Sequence, residues 1–121
     1  MADRPSMGSA LYSLMATIED RRQKLPPKSY TTQLFSGGPE LMGAKILEEA
    51  REVVEAGQSA ATADERSHLI YEACDLLYHL LVLLGYHDIT LAEIESELQR
   101  RFGLSGLDEK AARQGKSDRE S

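Results

Sequence analysis

The sequence predicts an all-α fold, a bundle of four to five helices completed by homodimerisation. Three observations lead there. Apolar residues recur at helical spacing in separate stretches of the chain. Glycine, proline and Thr-x-x-Glu signals fall between those stretches, where helices start and stop. Nowhere does the chain alternate apolar and polar residues over the length of a strand, or carry a tight hairpin signal.

The first helix is expected over 9–24, where Leu11, Leu14, Met15 and Ile18 share a face and Pro26-Pro27 forbids continuation. Residues 25–38 read as a connector, with a short helical turn through Gln33-Leu34-Phe35 and a break at Gly37-Gly38. Pro39 suits a first helical position and Gly57 a C-terminal one, which sets the second helix at 39–56. Thr62-Ala63-Asp64-Glu65 fits a capping box, and the third helix follows to about Leu84, with Gly85 expected to end it. Thr90-Leu91-Ala92-Glu93 is a second box, opening a fourth helix to about Phe102 with Leu91, Ile94 and Leu98 as its apolar stripe. Residues 1–114 are expected to form a single domain and 115–121 a polar, disordered tail.

From Leu69 onward the third helix is apolar nearly all round, as a helix buried on most sides would be. Four helices in a chain of 121 residues cover a central helix poorly, so a second copy related by two-fold symmetry is expected to cover the rest.

Composition narrows the function. A net charge of −6, few aromatics and no Trp argue against a nucleic-acid partner. The single cysteine, Cys74, allows no intrachain disulfide and suits a reducing cytoplasm. The first residues lack the apolar stretch of a signal peptide, and the longest apolar run, 76–86, is too short to span a membrane. Between Glu48 and Asp75 stand eight acids and two bases, a local excess equal to the whole net charge.

Two motifs concentrate those acids. Glu48-Glu49-Ala50-Arg51-Glu52 lies on the second helix and Glu72-Ala73-Cys74-Asp75 on the third. At about 100° per residue, Glu48, Glu49, Glu52 and Lys45 share one face, opposite Ile46, Leu47, Val53 and Val54. Glu72, Asp75 and His79 share a face of the third helix. A solvated acidic surface would explain the first set. The second sits among apolar residues with no lysine or arginine after Arg66, and its plain alternative is that the carboxylates cap other groups or face a solvent gap. Buried carboxylates are protonated, paired with a base or bound to metal. Two facing sets of oxygen ligands favour a hard cation, Mg²⁺ or else Mn²⁺.

Lys45 is a candidate phosphate partner. His79 is either a satisfied core histidine or a hydrogen-bond partner of a carboxylate or phosphate oxygen. Arg21, Arg22, Lys24 and Lys28 form a basic stretch beside Ser29-Tyr30-Thr31, which offers Lys28 and Tyr30 as substrate contacts or else complements a helix dipole. Cys74 is expected in the core, as are the Met and Leu residues elsewhere.

The acidic pair of motifs resembles the signature of the all-alpha, MazG-like nucleoside triphosphate pyrophosphohydrolases. Within that group Ser29-Tyr30-Thr31, Lys45-Ile46-Leu47-Glu48-Glu49-Ala50, Asp75-Leu76-Leu77-Tyr78-His79, Glu97-Leu98-Gln99-Arg100-Arg101 and the closing 105–113 are most similar to the phosphoribosyl-ATP pyrophosphohydrolases. The resemblance covers about 11–113. Cys74 departs from it, standing where a smaller residue such as alanine is expected, and Gly37-Gly38-Pro39-Glu40 is an atypical entry to the second helix.

The resemblance implies a cytoplasmic, stand-alone enzyme that converts phosphoribosyl-ATP and water to phosphoribosyl-AMP and pyrophosphate in histidine biosynthesis. Glu49, Glu52, Glu72 and Asp75 would ligate Mg²⁺, with Glu48 a further ligand or the base that orients water. Lys45, with Lys110 or Arg113 of a neighbouring chain, would balance charge on the pyrophosphate. The alternatives are a general nucleoside triphosphate pyrophosphohydrolase that clears non-standard nucleotides, or a catalytically silent helical dimer. A di-iron carboxylate bundle is excluded by the lack of two Glu-x-x-His pairs.

Overall fold

The computed structural model describes residues 8–103. Four helices make up almost all of it, α1 (Ser9–Lys24), α2 (Tyr30–Ala56), α3 (Ala63–Tyr86) and α4 (Leu91–Phe102), and the described residues contain no strand. Lys110, Arg113 and the tail lie outside the described residues.

Helices α1 to α3 pack against one another in one unit. Its core is Met15 and Ile18 of α1, Leu34, Phe35 and Met42 of α2, and Leu81 and Val82 of α3, all under a tenth exposed. The end of α1 is where Leu25 turns left-handed (φ 48°) and donates its N–H to the Arg21 carbonyl, ahead of the two prolines.

Helix α2 starts earlier than the sequence suggests. Ser29 caps it, its Oγ accepting the Thr32 N–H at 3.3 Å, and Thr31, Leu34 and Phe35 are buried. The expected connector over 30–37 is therefore helical: its polar surface hides a short buried face that has no length over which to show a period. The expected break is present. Gly38 lies at φ 73° and ψ −176°, outside helical space, and Pro39 opens the second stretch.

Helix α3 is opened by the Thr62 capping box, with Thr62 Oγ1 accepting the Glu65 N–H and Glu65 accepting the Thr62 N–H, both at 3.1 Å. Gly85 does not end it. A Cβ there would stand 2.8 Å from Ile18 Cγ2, so this glycine lies inside the helix where α1 comes closest. Helix α3 has the length and apolar composition of a membrane span. It nevertheless carries Glu72 and Asp75 mid-length and packs against α1 and α2, the arrangement of a core helix.

Several residues expected in the core are exposed. Cys74 is one. Leu47, Val54, Ile70 and Tyr71 are each at least 60% exposed, and Leu41, Leu77 and Leu80 more than a third. Among the described residues α1 and α2 pack against α3, and the outward residues of α3 stay exposed.

Helix α4 belongs to a second unit and opens with its own box, Thr90 and Glu93 exchanging hydrogen bonds at 2.8 and 3.2 Å. Near its end Glu97 accepts from Arg100 at 2.6 Å and Arg101 at 2.7 Å, which hold its carboxyl down to about 2.

Candidate active site

The α2–α3 pairing brings the two acidic motifs together. Glu49 projects from α2 and Glu72 and Asp75 from α3, and one carboxylate oxygen from each lies within 4.8 Å of the other two. Glu49 and Glu72 are 7% and 6% exposed, and Asp75 is half-buried. The acids therefore form a polar seam between α2 and α3.

The seam is electrostatically strained. Burial raises the Glu49 carboxyl above its ordinary range, and the charges of Glu52 and Asp75 push it further, with His79 acting the other way. Burial likewise raises Glu72, followed by a hydrogen bond and the charge of Glu52. Glu52 therefore stands between the two. Among the described residues the Oε2 atom of Glu49 is buried without a hydrogen-bond partner. A carboxylate oxygen left bare in a group of acids fits a divalent cation better than any neighbour the fold supplies. The donor set is all oxygen, which suits Mg²⁺ or Mn²⁺ rather than a thiophilic metal.

Two surfaces flank the seam. At the hairpin end a cleft of about 560 Å³ is lined by Glu52, Glu55, Gln58, Ser59, His68 and Glu72, among others. On the other side Lys45, half-buried, reaches Glu48 at 3.4 Å, and that hydrogen bond raises the lysine above its usual range. Glu48 is exposed at the edge of the cluster. Tyr30 borders this side, close enough to Lys45, Glu48 and Glu49 to feel their charges; burial raises its phenol and Lys45 opposes that.

His79 is buried beneath Tyr30. Its Nδ1 lies 2.8 Å from the Asp75 carbonyl oxygen and its Nε2 3.0 Å from Tyr30 Oη. Tyr30 also stacks on Tyr78 with ring centroids 6.2 Å apart, while Tyr78 Oη and Thr31 Oγ1 are 2.5 Å apart. Thr31, Tyr78, Glu55 and His68 were not among the expected site residues: Thr31 and Tyr78 meet across 47 residues of sequence, and Glu55 and His68 line the cleft.

The basic stretch is mostly engaged in structure. Arg21 reaches Ser29 Oγ at 3.4 Å, and Lys24 pairs with Asp20 at 2.9 Å. Arg22 donates to the Tyr86 carbonyl and lies over the Tyr86 and Phe35 rings. Lys28 is exposed in the turn before α2.

Comparison with known proteins identifies the family. Residues 11–102 match the family model described as phosphoribosyl-ATP pyrophosphohydrolase. The chain belongs to that family. A protein of Rhodopirellula baltica named phosphoribosyl-ATP pyrophosphatase is 50% identical over 105 residues, 87% of each chain. A relative of the same name in Rhodobacter capsulatus is 47% identical over 87% of this chain and 98% of its own length. One in Geobacter sulfurreducens is 44% identical over 93% and 98%. The match takes in all four helices and both acidic motifs, so the seam between α2 and α3 lies within the part shared with the family.

Proposed function

We propose that the chain hydrolyses phosphoribosyl-ATP to phosphoribosyl-AMP and pyrophosphate, the second step of histidine biosynthesis, with Mg²⁺ bound by Glu49, Glu52, Glu72 and Asp75. One observation carries this reading: in a member of this family, the buried and unpartnered Glu49 Oε2 lies among acids of two helices. When bound, such an ion would offset the charge of the triphosphate and polarise a phosphoryl oxygen as a Lewis acid.

The chain's own residues do the rest. Glu48, exposed at the edge of the cluster, orients the attacking water and takes its proton. Lys45 stands beside it as a charge partner for the leaving pyrophosphate, its hydrogen bond to Glu48 favouring the charged form. Lys45 and Glu48 lie one turn apart on α2, which fixes their spacing and lowers the order lost in reaching the transition state. The exposed apolar side chains Leu47, Val54, Ile70 and Tyr71 support a homodimer as the working form.

The test replaces Glu72 or Asp75 with its amide and measures pyrophosphate release from phosphoribosyl-ATP beside a panel of free nucleoside triphosphates. A loss of roughly 100-fold or more is expected, since even supporting groups around a metal are worth about 10–100-fold. Activity within a few-fold of wild type would refute the ligand assignment, and preference for the free triphosphates would refute the substrate.

A further inference from the structure

The acidic seam is the middle of a longer track. On α3, Glu65, His68, Glu72, Asp75 and His79 follow one another at steps of three and four residues, and on α2 Lys45, Glu49, Glu52 and Ala56 do the same. Residues at that spacing share one face of a helix. The two stripes meet where Glu49 comes together with Glu72 and Asp75. At 1.5 Å of rise per residue, Lys45 stands about 6 Å along α2 from Glu49, and Glu55 about 9 Å from it in the other direction, toward the hairpin.

The two ends of the track differ in charge. At one end is Lys45, 3.4 Å from Glu48. At the other the track opens into the cleft of about 560 Å³, whose lining begins with Glu52 and includes Glu72. Small-molecule sites span about 300–1,000 Å³, so this is the volume of a ligand seat. Four glutamates line it and no lysine or arginine does. Phosphates lying in it would be repelled. Nor does the cleft gather an ion of its own, because among the described residues only Glu49, Glu72 and Asp75 bring ligating atoms close enough to share one.

Most polar groups of the cleft are already engaged. Ser59 donates its hydroxyl to Glu65 at 2.9 Å, and Glu65 also accepts the N–H groups of Ala61 and Thr62. Gln58 donates to the Val54 carbonyl at 3.0 Å. Glu52 and Glu72 belong to the seam. Glu55 of α2 and His68 of α3 remain, both exposed on the cleft. A carboxylate accepts hydrogen bonds from hydroxyl and amino groups, and an imidazole adds a flat face on which a base stacks. Those are the needs of the uncharged part of a nucleotide.

We infer that the substrate lies along this track with a fixed polarity, its leaving pyrophosphate toward Lys45 and the adjoining ribose and base in the hairpin-end cleft, where Glu55 and His68 act as specificity residues. The inference rests on reading the acidic seam as the phosphate centre of a nucleotide hydrolase.

Binding of the two products, measured by calorimetry in MgCl₂, tests it. Glu55→Ala and His68→Ala should each weaken phosphoribosyl-AMP roughly five-fold, the size of one hydrogen bond, and leave pyrophosphate nearly unchanged. Lys45→Met should do the reverse. Both cleft side chains are exposed, so their removal leaves the packed helices in place. The ring resonances of His68 in the wild-type chain should move on adding phosphoribosyl-AMP and stay on adding pyrophosphate. With phosphoribosyl-ATP as substrate, the two cleft variants should raise KM by the same factor and change kcat little. Cleft variants that weaken both products equally, or neither, would overturn the inference, as would His68 resonances that answer to pyrophosphate alone. A wild-type chain that binds both products without this crossed pattern removes the inference and leaves the hydrolase reading standing. One that binds neither removes the hydrolase reading, and this inference with it.

Discussion

Replacing Glu49 with Gln should shift stability in opposite directions with and without a divalent cation. A Glu49 oxygen lies within 4.8 Å of oxygens on Glu72 and Asp75. Two like unit charges at that separation repel by about 1 kcal/mol at the dielectric constant of water and by about 3 kcal/mol at an effective constant of 20. Glu49 is 7% exposed but sits beside an open cleft, so its repulsion belongs toward the lower figure. An amide in the same place is also cheaper to bury than a carboxylate. Without metal, the variant should therefore be more stable by about 1 kcal/mol, roughly 4 °C in a domain of this size. With Mg²⁺ at 100 times its dissociation constant, binding stabilises wild type by about 2.7 kcal/mol, on the order of 10 °C. The variant, short of one ligand, gains much less, and the order of the two melting temperatures inverts. Scanning calorimetry in EDTA and in MgCl₂ reads both effects. A variant that melts below wild type in EDTA and gains as many degrees from Mg²⁺ would refute the reasoning, because Glu49 would then be an ordinary satisfied acid.

Further outcomes follow from the same geometry. Burial and neighbouring acids raise Glu49 and Glu72 above 4.5, so the folded state binds protons that the unfolded state releases. The stability difference between wild type and Glu49→Gln in EDTA should accordingly grow to wild type's disadvantage as pH rises from 4.5 through the raised value, then level off. Urea midpoints across pH measure it, and a difference that shrinks over that interval would contradict the sign. Gly85→Ala gains about 1 kcal/mol in helix propensity but drives a methyl to 2.8 Å from Ile18, which is 1% exposed and has no room to yield. Overpacking of this kind costs about 1–3 kcal/mol, so a net loss near 1 kcal/mol is expected. Gly43→Ala, with nothing within 4 Å, should instead stabilise by about 0.5–1 kcal/mol; equal effects at the two glycines would disprove the close approach of α1 to α3.

The sequence by itself determined the all-α fold, the helix boundaries marked by local chemistry and the identity of the acids. The Thr62 and Thr90 boxes, the break at Gly38 and the stop before Pro26 act over three or four residues, and each is present as read. The grouping of Glu49, Glu72 and Asp75 could be anticipated because helical periodicity puts each motif on one face, and acids among apolar residues need a partner. Where local signals misled, longer-range packing had prevailed. Gly85 reads as a stop, yet α1 needs its missing side chain within the helix. Residues 30–37 read as a connector, yet their buried face meets α1 and α3. Cys74 reads as core by hydrophobicity, yet it is exposed among the described residues. The pairing of Tyr30 with His79 is the furthest from sequence, because the two stand 49 residues apart. Only the packed helices bring the two together, because a side chain's partners are set by which elements touch, and that is decided by the burial of whole faces rather than by any neighbouring residue.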